Sequence, residues 1–413
     1  MKEYISKGSW YRRPPLLIAV ITGLSILGDS MLYIVLPTHW QEAGLDSLWE
    51  VGILLAVNRL IRVPAMPVIR RIYGAVSPRP VIFVMTLAAA VSTFGYAWAY
   101  GFWEWLAVRC LWGLSYAFLR LGGFFLVVKS ADQENRGFAM GEYDGIFHMG
   151  RLVSMLIGGY MADSEGLAQT ALTFGFLSLG APVLTAWKNP IPFPRLVDAS
   201  RFEEDERVWK TVRHDRLFLR WLLLGFLLNV LFQGIFTSSL SHLAETSYGD
   251  MITLGGWVVG AATLSGTIQS LRWAWEPFLS PVAGRFTGGE SRIPAIAVSL
   301  AVCAAAFVCI TFRLPLGMWI VLTLIIQMSA TVLETLADAA AGDLAASYQS
   351  KTALMSRYAM FSDFGAGVGP LSAYLLMGFL SADSACWLSA FILAFLYLPY
   401  RSQMAGYIKK HRF

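Results

Sequence analysis

Residues 67–74 read PVIRRIYG, and residues 281–288, 214 positions further along the chain, read PVAGRFTG. Proline, valine, arginine and glycine stand at the same four positions in both stretches. Each stretch closes an apolar run of about 20 residues, which is the length a helix needs to cross a bilayer. The match indicates that the chain repeats one membrane-embedded unit.

The composition of the whole chain is typical of a bilayer protein and excludes a water-soluble fold. Of its 413 residues, 56% are hydrophobic and only 14% are charged, against about 25% charged in soluble domains. The net charge of +5 comes from Lys and Arg in short segments between apolar runs, so we expect no nucleic-acid partner. The four cysteines lie in apolar runs without metal-ligand spacing, and we expect no metal and no other cofactor.

Twelve runs of mostly apolar residues can be counted between polar, proline or glycine boundaries. They cover residues 15–37, 48–69, 80–99, 102–128, 137–161, 167–187, 217–241, 256–279, 293–312, 315–340, 352–377 and 384–400. We therefore predict an all-α membrane protein with twelve transmembrane helices in two pseudo-symmetric six-helix bundles. The bundles are residues 1–187 and 216–413. Residues 188–215, which carry prolines and mixed charges, form a cytoplasmic central loop.

The distribution of Lys and Arg predicts the orientation of the chain. These residues concentrate at the two ends and in the connections after helices 2, 4, 6, 8 and 10, whereas the opposite connections hold only Arg313. Because positive charge accumulates on the cytoplasmic side of a membrane, we predict that both termini are cytoplasmic. The N-terminal stretch lacks the short core and cleavage site of a secretory signal, so we expect the first helix to remain as an anchor.

Two short motifs carry a family resemblance. The fourth predicted helix contains RCLWG at 109–113, which resembles an RxxxG motif, and the eleventh contains GAGVGP at 365–370, which resembles the GxxxGP element that antiporters usually carry in helix 5. With its twelve spans and parallel six-helix repeat, the whole chain resembles the major facilitator superfamily. The resemblance implies alternating access between two bundles, a location in the bacterial inner membrane and a role for Arg109 near proton coupling.

Ionisable residues inside the predicted helices are the strongest indication of function. Each costs about 2.5–3.5 kcal/mol to insert at a helix centre, so each needs contact with protein or water. We interpret the set as the lining of one hydrated cavity, with structural ion pairs between helices as the alternative for any single residue. The candidate proton-coupling residues are Asp29, Arg109, His148 and Glu334. The candidate substrate-binding residues are Asn58, Arg59, Arg62, Arg120, Asp144, Arg151, Arg272, Glu276 and Asp363.

The aspartate of the first helix is a candidate coupling site because it has no base beside it in its own helix. Arg59 and Arg62 in the second helix lie at a depth from which either is expected to reach Asp29. If Asp29 exchanges its arginine for a proton, it couples transport to the proton gradient. If the pair is permanent, Asp29 is a packing clamp between helices.

The fifth helix carries three candidates on one face. Asp144, His148 and Arg151 follow one another at i, i+4 and i+7, a spacing that places them on the same side of a helix. Histidine has an ordinary pKa near 6.5 and changes charge in the physiological range, although a buried core residue remains the alternative for His148. The GxxxG spacings at 141–145 and 365–369 predict close helix contacts.

The repeat also predicts opposed charges. The 214-residue offset lays Arg62 on Glu276 and Arg120 on Glu334. In a two-fold arrangement, a cationic wall would then face an anionic wall across one cavity. Such a cavity suits a zwitterionic solute, whose carboxylate would bind arginine and whose amine would meet glutamate.

No phosphate-binding loop occurs, so ATP-driven transport by this chain alone is unsupported, and no hydrolase motif occurs. An intramembrane enzyme that uses Asp29 or His148 would leave the repeat and the dispersed charges unexplained, so these observations predict a transporter. We expect a monomer in the lipid bilayer that couples proton movement to export of a polar or zwitterionic organic solute or metabolite. One alternative is a proton-coupled uptake symporter for an anionic or zwitterionic nutrient. A second is a transporter-like sensor or scaffold without flux, because the connection after helix 2, MPVIRRIYGAVSPR, lacks the carboxylate usual in the family.

Overall fold

The computed structural model describes residues 14–130, 136–187, 216–286, 292–312, 314–346 and 351–410. Apart from one short hairpin and brief connections, these residues are helical. The predicted cytoplasmic loop, 188–215, lies outside the described residues, as does Arg313.

The first half of the chain forms eight helical pieces. They are α1 (Pro14–Ser25), α2 (Leu27–Val35), α3 (Leu48–Leu60), α4 (Arg62–Ala75), α5 (Pro78–Gly95), α6 (Phe102–Ser130), α7 (Arg136–Ser178) and α8 (Gly180–Ala186). Single residues, Ile26 and Ile61, separate α1 from α2 and α3 from α4, so each pair runs as one interrupted helix. Within α7, Gly166 has a φ of 84°, which glycine adopts without steric cost. This break separates the predicted helices 5 and 6.

The second half contains helices and one hairpin. In order they are α9 (Arg216–Asn229), a π-helical segment (Val230–Phe236), α10 (Thr237–Tyr248), β1 (Met251–Leu254), β2 (Trp257–Gly260), α11 (Ala261–Phe286), α12 (Arg292–Cys309), α13 (Leu316–Ala346), α14 (Lys351–Phe379) and α15 (Ser384–Lys410). The strands pair antiparallel across Gly255 and Gly256, both at positive φ. The eighth predicted helix, 256–279, therefore begins at Ala261, because its first residues belong to the hairpin.

Eight helical spans among the described residues are long and apolar enough to cross a membrane. Their mean hydropathy lies between 1.3 and 2.1. The helices α11 and α14, with 26 and 29 residues, are not in this set. The helix order fits twelve spans, and the number twelve remains a prediction.

The most extensive contacts between the two halves are those of α7 with α11 and of α3 with α14. A Cβ added at Gly159 would lie 2.4 Å from the Ala262 carbonyl oxygen, and one added at Gly266 would lie 2.2 Å from the Met155 carbonyl oxygen. Backbone therefore touches backbone between α7 and α11 at this level. A bulkier residue at either glycine would force the helices apart.

The two GxxxG predictions have different outcomes. A Cβ at Gly365 would lie 2.4 Å from the Phe226 carbonyl oxygen, and one at Gly369 would lie 2.4 Å from Gly234 Cα, so the close contact predicted for 365–369 is confirmed. A Cβ at 141 or 145 would have no atom within 4 Å. The contact predicted for 141–145 is wrong, because this part of α7 lines an open cavity.

Candidate functional site

A cavity of about 680 Å³ lies between the two halves of the chain, and we call it the vestibule. Its wall reaches from Arg151 in the middle of α7 to Gly141 near the start of that helix, and to Pro281 near the end of α11. A smaller space of about 30 Å³, the inner chamber, continues from it toward Tyr33 and Met155. The residues that line both spaces are Arg59, Tyr116, Arg120, Arg151, Gln233, Trp273 and Asp363.

Beyond the inner chamber, contacts between α7 and the start of α11 close the cavity. The Oδ2 atom of Asp163 accepts hydrogen bonds from the backbone nitrogen and the Oγ1 of Thr263, at 2.6 and 2.5 Å. The glycine contacts at 159 and 266 lie between this bond and the chamber. The cavity is thus open at one end and closed at the other.

Ten of the thirteen residues predicted for the site line the vestibule or the inner chamber. They are Asp29, Arg59, Arg62, Arg120, Asp144, His148, Arg151, Glu276, Glu334 and Asp363. The other three, Asn58, Arg109 and Arg272, each bond a carboxylate of that lining. The structure therefore brings all thirteen to one place, while their roles in coupling and binding remain predictions.

Asp29 is held by Arg109 and Asn58. Its Oδ1 accepts from Arg109 Nη1 at 2.5 Å and from Asn58 Nδ2 at 2.8 Å. The expectation that Arg59 or Arg62 would reach Asp29 is wrong. Depth along a helix can be counted in the sequence, but the side chain that reaches Asp29 cannot. Both α3 and α6 face Asp29, and α3 presents Asn58 to it while the arginine comes from α6.

Two further ion pairs lie in the cavity wall. Arg120 Nη1 bonds Asp363 Oδ2, joining α6 to α14 across the two halves. Arg272 Nη2 lies 2.5 Å from Glu334 Oε2, joining α11 to α13. Arg120 and Glu334 both line the vestibule, as the repeat predicted, but each already has another partner.

Three arginines of the inner chamber lie against aromatic rings. Their guanidinium carbons lie 4.3 to 5.1 Å from a ring centre: Arg59 over Tyr33, Arg62 over Tyr116 and Arg151 over Phe147. Among the described residues, none of the three has a carboxylate within 4.0 Å. A ring face attracts a guanidinium but does not neutralise its charge.

Three carboxylates of the vestibule are without an arginine partner in the part of the chain that the structure describes. They are Asp144, Glu276 and Asp338. Asp338 Oδ1 accepts from Tyr358 Oη at 2.9 Å, and Glu276 Oε2 is buried with no hydrogen-bond partner. Asp338 follows Glu334 by four residues, a spacing that places both on one face of α13.

His148 packs against Trp273, with 4.6 Å between the ring centres. Together with Asp144 and Arg151 it lines the vestibule, so the predicted shared face of the fifth helix is confirmed. Trp273 and Tyr116 were not predicted for the site. Tyr116 precedes Arg120 by one helical turn, and this spacing could have identified it.

Gln233 was also missed, and the sequence holds no simple signal for it. It lies in the π-helical segment, faces the cavity and donates from Nε2 toward Glu334 Oε2 at 3.5 Å. A π-helical turn changes the residues that share a face. Counting residues at the spacing of an α-helix therefore places Gln233 on the wrong side of the helix.

A charged cavity between two helical halves, closed at one end, is the arrangement of a secondary transporter rather than an enzyme. The sequence profile of the Major Facilitator Superfamily matches residues 18–277. This match covers more than half of the chain, and the chain belongs to that family. It is a multi-pass membrane protein of the transporter fold that the sequence predicted.

Similar structures share this fold at low sequence identity. The nucleoside transporter NupG is 12% identical with a TM-score of 0.73, covering 94% of this chain and 98% of NupG. A bacterial homolog of the human lysosomal transporter Spinster is 12% identical with a TM-score of 0.74, covering 98% of this chain and 99% of that one. These likenesses show the fold alone.

One curated protein is similar in sequence over part of its length. A multi-drug resistance efflux pump PmrA homolog of Lactococcus lactis subsp. lactis (strain IL1403) is 24% identical over 189 residues. The matched stretch is 45% of this chain and 45% of that protein. This chain thus matches about half the length of that relative.

Proposed function

We propose that this protein is a proton-coupled exporter of a polar or zwitterionic organic solute and works by alternating access. The observation that carries the proposal is the single cavity that ten of the thirteen predicted ionisable and polar residues line. A solute in the vestibule would contact side chains of both halves. Rocking of the halves about the inner chamber would then transfer its opening from one side of the membrane to the other.

With the proposed orientation in the membrane, the conformation of the structure is an inward-facing state. The vestibule opens where α7 begins and α11 ends, which is the side of the basic connections that the sequence assigns to the cytoplasm. The Spinster homolog of similar fold is described as inward-facing and unoccupied. We further propose a monomer in the bacterial inner membrane with both termini in the cytoplasm.

Proton coupling is proposed for the Asp29–Arg109 and Glu334–Arg272 pairs. Protonation of either carboxylate would weaken its ion pair and release a buried arginine. It would move the protein between states only if the proton binds one state more tightly than the other. The distant likeness to an efflux pump supports export, and an uptake symporter would use the same cavity.

The test is flux in proteoliposomes loaded with a cellular metabolite extract. We expect an imposed pH gradient to drive at least one polar solute against its own gradient, and a protonophore to stop it. Liposomes without protein are the control. Solute and proton moving in the same direction would favour the uptake symporter, and no flux for any component would favour the sensor or scaffold.

A further inference from the structure

We propose that the inner chamber is an anion subsite for an amphoteric organic solute, whose carboxylate, phosphate or sulfonate group binds there while the vestibule carboxylates hold its cationic group. The inference rests on the proposed transport function and deepens it by naming the substrate class. Positive charge is in excess in the chamber, and carboxylates line the vestibule at its mouth.

Positive charge is in excess in the inner chamber, which four arginines and two carboxylates line. Both carboxylates are already engaged in ion pairs, with Arg109 and with Arg120. Arg59, Arg62 and Arg151 therefore keep their full charge toward the chamber. A ligand that brings one or two negative charges would reduce this excess of three positive charges.

Arg62 gives the clearest sign of a missing partner. Arg62 is only 8% exposed. Its Nε donates a hydrogen bond to the Asn58 carbonyl oxygen at 2.9 Å. Its Nη groups, which are not fully buried, have no hydrogen-bond acceptor among the described residues. Burial of a guanidinium without an anion costs free energy, and a ring face offsets only about 0.5–2 kcal/mol of it. A bound anion would supply both the charge and the acceptors.

The vestibule supplies the complementary charge. Asp144, Glu276 and Asp338 line it and lack an arginine partner among the described residues. Because the vestibule leads into the inner chamber, a solute with its anionic group deepest would hold its cationic group beside these carboxylates. A cationic or apolar solute would leave the three arginines unpaired, which the site disfavours.

Binding to fractionated metabolites tests this assignment directly. A metabolite extract is separated by ion exchange into amphoteric, anionic, cationic and neutral fractions, and each is added to the purified full-length protein while thermal unfolding is followed. We expect the amphoteric fraction to raise the unfolding midpoint most. Arg62→Gln and Arg151→Gln should each need about tenfold more of that fraction to reach the same rise in the unfolding midpoint, since each removes a charged hydrogen-bond donor.

Arg220→Gln is the matched control, because it removes an exposed arginine of α9 that does not line the cavity. It should respond like the unmodified protein. If a glutamine variant does not fold, Arg62→Lys and Arg151→Lys keep the charge but lose the planar donor fork. These variants should bind the amphoteric fraction more weakly than the unmodified protein and still prefer it over the cationic one.

Flux measured on the same preparations separates the two proposals. Transport of a cationic or neutral solute, or an equal response of the glutamine variants and the unmodified protein, would overturn the anion subsite and leave the transport function intact. Absence of flux together with absence of stabilisation by every fraction would overturn both.

Discussion

Asp29 is the single side chain on which the proposed coupling depends most directly. It lines the inner chamber, and its Oδ1 accepts hydrogen bonds from Arg109 and Asn58. Both partners are fully buried, so a change in the charge of Asp29 acts on groups that water does not reach and screens little. The effect of a proton must therefore pass to the neighbouring helices.

The substitution Asp29→Asn should abolish solute movement driven by a pH gradient and leave solute exchange largely intact. Asparagine keeps the size and one acceptor oxygen for Arg109 but does not titrate. Both activities can be measured in proteoliposomes. Asp46→Asn, at an exposed aspartate outside the cavity, is the control. An unchanged pH dependence in Asp29→Asn would remove Asp29 from the coupling role.

The Arg120–Asp363 pair joins the two halves and can be tested by exchange of charge. Arg120→Asp and Asp363→Arg should each reduce transport, because each places two like charges together. The double variant should recover roughly 2- to 5-fold in rate over the worse single variant. This corresponds to about 0.5–1 kcal/mol, a small value because the pair faces a cavity that water enters. Strictly additive losses would show that the two side chains act independently.

At the scale of elements, the contact of the π-helical segment with α14 depends on two glycines. Gly369→Ala would place a Cβ 2.4 Å from Gly234 Cα. We expect a loss of about 1–3 kcal/mol in stability, because the neighbouring atoms are backbone and do not move aside. Thermal unfolding of the purified protein measures the effect.

Gly378→Ala is the control on the same helix, where an added Cβ meets no atom within 4 Å. There alanine should be neutral or stabilising by up to about 1 kcal/mol, since it favours the helix. Equal unfolding midpoints for the two variants would contradict the close packing described at Gly369.

Helix positions were largely predictable from the sequence, whereas the interruptions were not. Runs of apolar residues bounded by polar ones identify spans because the bilayer sets their length. The hairpin at 251–260 carries Gly-Gly between two short runs that contain β-branched residues, a pattern typical of a hairpin. Counting apolar residues instead places 256–260 in the eighth predicted helix. The π-helical segment packs against α14, a contact that no local pattern in the sequence indicates.

The residues of the candidate site could be predicted from the sequence, but which of them form ion pairs with one another could not. An ionisable group in an apolar run must face protein or water, and the residues that this requirement selects line one cavity or bond a carboxylate of its lining. Partners such as Arg109 for Asp29 depend on which helices are neighbours. Six helices in each half permit many such neighbours, and spacing along one helix does not distinguish among them.

At the scale of the whole molecule, the Asp163–Thr263 contact helps to keep one end closed. It caps the start of α11 from the other half of the chain, and such a cap contributes about 1 kcal/mol. Asp163→Ala should therefore shift the population about fivefold toward states open at this end. Spin labels at 164 and 258, both exposed and near the contact, would report a larger share of long distances.

Glu165→Ala is the control for that experiment, because it changes an exposed acidic residue two positions away. It should leave the distance distribution unchanged. Identical distributions for Asp163→Ala and the unmodified protein would show that contacts other than Asp163–Thr263 hold this end together.

The aromatic support of Arg59, Arg62 and Arg151 has a consequence for the cell. Since rings rather than carboxylates hold these guanidinium groups, an arriving solute does not have to displace an internal counter-ion. Chloride and inorganic phosphate would meet the same unpaired positive charge. Occupancy by the solute would then fall as the concentration of these competing ions rises.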